Sequence, residues 1–261
     1  MTSLTMRGFN LIEAILRNRG YKVVRAAEEA GNVGPADPVP AMSRDAMLIL
    51  TGGNADLVDA STSQLYQDIF VLSEHSYKQG GFFVEFGAAD GVYLSNTQLL
   101  ETRFGWTGLL AEPARKWHAP LAANRSCIIE TDCVWSRTGE QLTFLETPDA
   151  HLSTLQGFED SDSHADIRTG AIAYQVRTIS LQDLLDRHQA PRTIDYLSLD
   201  TEGSEYDILA AFDFTAYDIR VITCEHNDTP DRERIHALLA SKGYVRKYTG
   251  LSRWDDWYVR Q

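Results

Sequence analysis

Six side chains able to do acid–base or electrostatic work recur at similar places along this 261-residue chain. Glu85, Glu112, Asp132, Asp200 and Glu225 each follow a short apolar run, and His226 comes directly after Glu225. One acid in such a place would be a helix cap or a solvated tip. Five of them describe a site that expects positive charge or hydroxyl groups from its ligand. A carboxylate or imidazole within hydrogen-bond reach of an alcohol can also take its proton. Asp200, Glu202, Glu225 and His226 are the candidates for that base, His226 because its ordinary pKa lies near neutrality. Asp200, Glu225 and His226 could alternatively hold a divalent ion, Mg2+ or manganese, because oxygen and imidazole donors suit such cations.

The elements that must carry these groups follow from the pattern. Phe82-Phe83-Val84-Glu85-Phe86 reads as a strand, Gly87-Ala88-Ala89-Asp90-Gly91 as a tight turn, and Ser95-Asn96-Thr97 as a helix start. Gly87 frees the backbone to turn, and Gly91 leaves room for a ligand. The turn has no lysine and no Gly-x-Gly-x-x-Gly, so neither a P-loop nor the dinucleotide fingerprint is present. A helix is expected over 62–79, then strands at 106–112, 127–130, 194–200 and 219–225 with helices at 97–103, 116–124, 180–188, 204–212 and 231–242. Residues 244–248 and 256–259 read as a closing antiparallel pair. Strand and helix alternate, which predicts an α/β fold: a mostly parallel sheet with an antiparallel C-terminal strand and helices on both faces. Ligands of such sheets sit beyond the carboxyl ends of the strands.

Residues 134–180 break the rhythm with a polar insertion, in which strands are expected only at 141–145 and 174–179. The first sixty residues read as an arm: a helix over 6–19 with one apolar face, then a Gly/Pro-rich linker at 31–40. That helix could mediate a homodimer. The domain boundaries expected are 1–60 for the arm and 61–261 for the main domain.

Composition narrows the partners. A net charge of −13 has the wrong sign for a nucleic-acid backbone. No apolar run approaches the roughly 20 residues of a membrane span, and the N-terminus lacks a signal-peptide core. Three cysteines, an odd count without paired spacing, argue against a disulfide framework or a zinc site. A cytoplasmic protein is expected.

Glu112 follows Glu85 by 27 positions (112 − 85), one helix and one strand later. A carboxylate there can accept both hydroxyls of an adenosine ribose. Asp132, one strand further on, can reach an adenine amino group, and Glu85 and Asp90 would face an ammonium and a sulfonium. With these segments in view, the chain resembles the FkbM family of S-adenosylmethionine-dependent methyltransferases. The matching segments are Val84–Gly91, Ser95-Asn96-Thr97, Ala111-Glu112-Pro113, Leu197–Glu205 and Glu225-His226-Asn227, in order over about residues 64–261. One departure is Ser198, where many relatives carry a lysine.

The resemblance implies a class I, Rossmann-like methyltransferase fold. It also implies methyl transfer from S-adenosyl-L-methionine, mostly to hydroxyl oxygens of small molecules or saccharides. By matched position, Glu85, Gly87 and Asp90 would line the methionine end. Glu112 would bind the ribose, and Asp132 with Cys133 the adenine. Phe86, Ala88, Gly91, Ser95, Asn96, Thr97 and Pro113 would also belong to the cofactor site. A non-catalytic protein that only binds the cofactor, and a nicotinamide-dependent oxidoreductase on a similar sheet, stay open beside it. The missing dinucleotide fingerprint counts against the second.

Overall fold

The computed structural model of the chain describes residues 42–147, 152–158, 168, 170–250 and 252–261. The helix expected over 6–19, the linker at 31–40 and most of the polar stretch 151–170 lie outside the described residues. Two compact units divide between Asp59 and Ala60. In the first, α1 (Met42–Leu50) and α2 (Ala55–Asp59) are short. Asn54 caps α2 by accepting from the Leu57 amide, and Arg44 pairs with Asp59 at 2.7 Å.

The second unit is built on β1 (Phe82–Phe86), the strand with which the acid pattern begins. Its aromatic and β-branched side chains suit a strand buried on both faces, and Phe83, Val84 and Phe86 are buried. β1 pairs in parallel with β2 (Thr107–Ala111) on one side and with β8 (Thr193–Leu199) on the other. Outward from these lie β3 (Ile128–Glu130) and, beyond β8, β9 (Asp218–Glu225). β11 (Asp255–Arg260) then runs antiparallel to both β9 and β10 (Tyr244–Lys247). The resulting order is β10-β11-β9-β8-β1-β2-β3. This is the class I, Rossmann-like methyltransferase arrangement, with one reversed strand near the C-terminal edge. The order in which strands are added reverses between β1 and β8, and that switch point opens the crevice where such sheets bind ligands.

The helices α3 (Gln67–Glu74), α4 (Gln98–Phe104), α5 (Arg115–Asn124), α6 (Leu181–Arg187), α7 (Glu205–Ala211) and α8 (Asp231–Ser241) accompany the sheet. The largest core joins Val84, Leu109, Leu197 and Ile222 of the strands to Leu184, Leu209 and Leu239 of α6, α7 and α8. Ser180 caps α6, its hydroxyl accepting from the Asp183 amide.

Two expectations change. The helix predicted from residue 62 starts only at Gln67. Ser63 is held extended by a bridge to Leu94, and Tyr66 turns through a left-handed φ of 62°. The stretch 134–180 is more than a polar insertion. It belongs to a second sheet of order β4-β7-β5-β6, formed by β4 (Cys133–Trp135), β5 (Gln141–Glu146), β6 (Thr154–Leu155) and β7 (Ile172–Ser180). β4 and β6 are three and two residues long, too short to show a period in sequence. Among the described residues, no helix is long and apolar enough to cross a membrane.

Candidate active site

The carboxyl ends of β1, β2, β8 and β9 and one end of the small sheet surround a cavity of about 500 Å³, ample for a nucleoside-sized ligand. Glu85, Phe86, Gly87, Asn96, Glu112, Pro113, Cys133, Asp200, Glu202 and Glu225 all line it. Ala88, Asp90, Gly91, Ser95, Thr97, Asp132 and His226 do not.

Glu85 closes the floor at the end of β1. Its carboxylate accepts from the Asn96 amide at 2.7 Å, the Ser95 hydroxyl at 3.1 Å and the Thr97 hydroxyl. Arg125 lies 3.9 Å away. Burial pushes the Glu85 pKa up, against the pull of Arg125 and the three hydrogen bonds. Ser95 and Thr97 thus act beneath the cavity, by holding Glu85. Gly87 makes the turn off β1 with φ 74°, and a Cβ there would stand 2.0 Å from the Asp200 carbonyl oxygen. Only glycine lets the two strand ends approach so closely. Asp90 spends its carboxylate on the Val92 and Tyr93 amides, both at 2.8 Å, which shapes the loop rather than the cavity. Gly91 packs against Arg125 and Leu121, where a Cβ would come within 2.6 Å of each.

Glu112, just past β2, is buried in the cavity wall. It accepts from the Ala89 amide at 2.8 Å and the Ala114 amide at 2.7 Å. Burial pushes its pKa up to about 7, although both amides pull the other way. Cys133 lines the adjoining wall, its thiol pushed up to about 12 by burial and so unreactive. Asp132 departs from expectation: it turns outward to Arg187 at 2.9 Å, alongside Glu130 at 2.7 Å from the same guanidinium.

The opposite wall is a cluster of acids. Asp200 follows β8, Glu225 ends β9, and the β8–β9 register brings Leu199 beside Cys224, so the two acids are neighbours. Burial, then the Glu205 charge, pushes the Asp200 pKa up to about 7, opposed by a hydrogen bond with Glu225. Glu225 is pushed well up by burial, then by the Asp200 charge. Glu202 pairs with Arg168 at 2.9 Å. Glu205 accepts from the Thr201 and Gly203 amides, and so braces this loop and the start of α7.

His226 also departs from expectation. Its Nδ1 accepts from the Asp228 amide at 2.9 Å, and it faces a smaller cavity of about 250 Å³ next to α8. Burial lowers its pKa. His226 is not among the residues that line the larger cavity, nor among the acids that meet on its wall.

Sequence reading missed Arg125, which follows α5 and is buried. It joins Glu101 at 2.5 Å, the Gly91 carbonyl at 2.9 Å, Ser95 at 3.0 Å and Thr97 at 2.9 Å. A lone arginine after a helix carries no pattern; only the need of Glu85 for a cation pointed to one. Backbone strain also gathers here. Ala89, Leu94, Glu202, Asn227 and Asp228 all line the cavity with φ between 44° and 59°, a rare conformation outside glycine that clusters at functional sites.

The family model for the methyltransferase FkbM domain matches residues 85–246, from Glu85 into β10. The chain belongs to that family. The match to the FkbM domain takes in the whole acidic wall and the Gly87 turn. A comparison with curated protein sequences finds no match. Among solved structures, the FkbM chain is similar to the precorrin-6y C5,15-methyltransferase of Geobacter metallireducens GS-15. The identity is 12%, over 77% of this chain and 92% of that one, with a TM-score of 0.39. It is also similar to the N-terminal domain of human METTL16, at 12% identity over 95% and 78%, TM-score 0.35. The hMettl16 catalytic domain in complex with the MAT2A 3'UTR hairpin 6 matches at 11% over 96% and 91%, TM-score 0.34.

Proposed function

We propose that this FkbM chain transfers the methyl group of S-adenosyl-L-methionine to a hydroxyl oxygen of a small-molecule or saccharide acceptor. One observation carries the reading: a single cavity joins the buried Glu112 at the end of β2 to Asp200 at the end of β8. The residues fit that donor. Glu112 keeps a free lone pair on each oxygen beyond its amide bonds, enough to accept two ribose hydroxyls. Cys133 and Val134 offer an apolar wall for adenine. Gly87 leaves bare backbone beside Glu85 for the methionine end.

Bound S-adenosylmethionine supplies an already activated methyl group, so the protein's task is alignment and proton removal. Asp200 accepts the acceptor's hydroxyl proton, and Glu225 beside it shares the charge. The acidic lining and the net charge of −13 disfavour a nucleic-acid acceptor. The activity is assigned to residues 61–261, with 1–60 as an appended arm, in a cytoplasmic protein.

Calorimetric titration with S-adenosylmethionine and S-adenosylhomocysteine tests this. Dissociation constants on the order of micromolar are expected for both. Binding of neither overturns the reading.

A further inference from the structure

The acidic wall holds more negative charge than its neighbours answer. Asp200, Glu202 and Glu225 each present a carboxylate oxygen within 4.8 Å of the other two. Arg168 meets Glu202. Among the described residues, no lysine or arginine lies within 4.0 Å of the carboxylates of Asp200 or Glu225. The surroundings are acidic as well, because Glu205 and Asp255 both act on Glu225.

A second, independent observation concerns Glu225 alone. Its Oε2 is buried and has no hydrogen-bond partner, and the residue is 9% exposed. An unpaired buried carboxylate oxygen is costly. A proton shared between Asp200 and Glu225 would remove one of the cluster's charges.

We propose that Asp200, Glu202 and Glu225 hold a divalent cation, Mg2+ or Mn2+, on the cavity wall. Three hard oxygen donors without sulfur favour such ions over zinc or copper. An octahedral ion at about 2.1 Å places its ligands about 3.0 Å apart when adjacent and about 4.2 Å apart when opposite. The three oxygens, within 4.8 Å of one another, would draw closer together around such an ion. All three residues line the cavity, so the remaining positions are open to water or an acceptor oxygen. A cation there would make an acceptor hydroxyl easier to ionise. This deepens the methyl-transfer reading, although cation binding itself does not depend on it.

The test is a titration of the metal-free full chain with Mn2+, followed by loss of the free-ion EPR signal. One saturable site is expected, with a dissociation constant on the order of 10⁻⁴ M. Glu225→Gln and Glu202→Gln should each weaken it by about tenfold or more. Asp218→Asn, at the opposite end of β9, should leave it unchanged. Thermal melts of the variants confirm that they fold. No saturable binding by the wild-type chain, or wild-type affinity in Glu225→Gln, overturns the proposal. S-adenosylhomocysteine calorimetry on the same sample separates the two readings. Nucleoside binding without Mn2+ binding removes the cation and leaves the methyl transfer; the reverse result removes the methyl transfer and leaves the cation.

Discussion

The two walls of the cavity treat buried carboxylates in opposite ways. At the β1–β2 wall, Glu85 has three hydrogen-bond donors and a nearby guanidinium, and Glu112 has two backbone amides. At the β8–β9 wall, Asp200 and Glu225 lean on each other, and Glu225 keeps an unpaired oxygen. The first wall is finished before any ligand arrives and can act as a rigid template. The second stays electrostatically incomplete until a proton, a cation or a polarised substrate joins it. Such division suits a reaction in which one partner is held and the other must lose a proton.

The largest effect should come from breaking the finished wall. Arg125→Ala leaves Glu85 and Glu101 without their shared cation, and removing one partner of a buried ion pair costs about 3–5 kcal/mol. A fall of roughly 10 °C in the melting temperature is expected. A shift of only a degree or so would mean that Arg125 is not what holds this wall. Next is the incomplete wall. Asp200→Asn keeps the shape but removes the base, so turnover should fall by about 10²-fold, near 2.7 kcal/mol, with S-adenosylhomocysteine affinity unchanged. Wild-type turnover in that variant would take Asp200 out of the mechanism.

The contrast between the walls also marks what could be read from the sequence. The strands announce themselves, because each is an apolar run ending in an acid, and Glu85, Glu112, Asp200 and Glu225 do meet around one cavity. Asp132 looked the same in sequence but lies one residue pair past β3, where Arg187 of α6 captures it. His226 follows Glu225 directly, but the Asp228 amide occupies its Nδ1 and its ring lines the smaller cavity. The small sheet was half legible: β5 and β7 carry enough residues to show a pattern, β4 and β6 do not. Arg125 and Gln67 act through partners 24 to 188 positions away, and no local spacing encodes such pairings.

A smaller effect sharpens the role of the β2 end. Glu112→Ala removes the proposed ribose acceptor, and S-adenosylhomocysteine should bind about tenfold more weakly, near 1.4 kcal/mol. An unchanged dissociation constant would sink the ribose assignment and leave Glu112 as a brace for the Ala89 and Ala114 amides.

A last prediction, read as a pH dependence, probes how far the excess charge of the β8–β9 wall extends. Asp255 opens β11, is buried, and receives one hydrogen bond from Gln67 at 2.8 Å. Burial, then the Asp200 charge, pushes its pKa from 3.8 up to about 8. The folded state therefore holds this proton more tightly than the unfolded chain does. Below about pH 4 both states are protonated, and the group favours neither. Between about pH 4 and 8 the unfolded chain has already released the proton, so stability falls as pH rises, and the loss levels off above about 8. Asparagine can accept the same Gln67 bond but has no proton to lose. The melting temperature of Asp255→Asn relative to wild type should thus rise from pH 5 to pH 8. A difference that stays flat across that range would mean that Asp255 is ionised at little cost, and that the charge imbalance stops at Asp200 and Glu225.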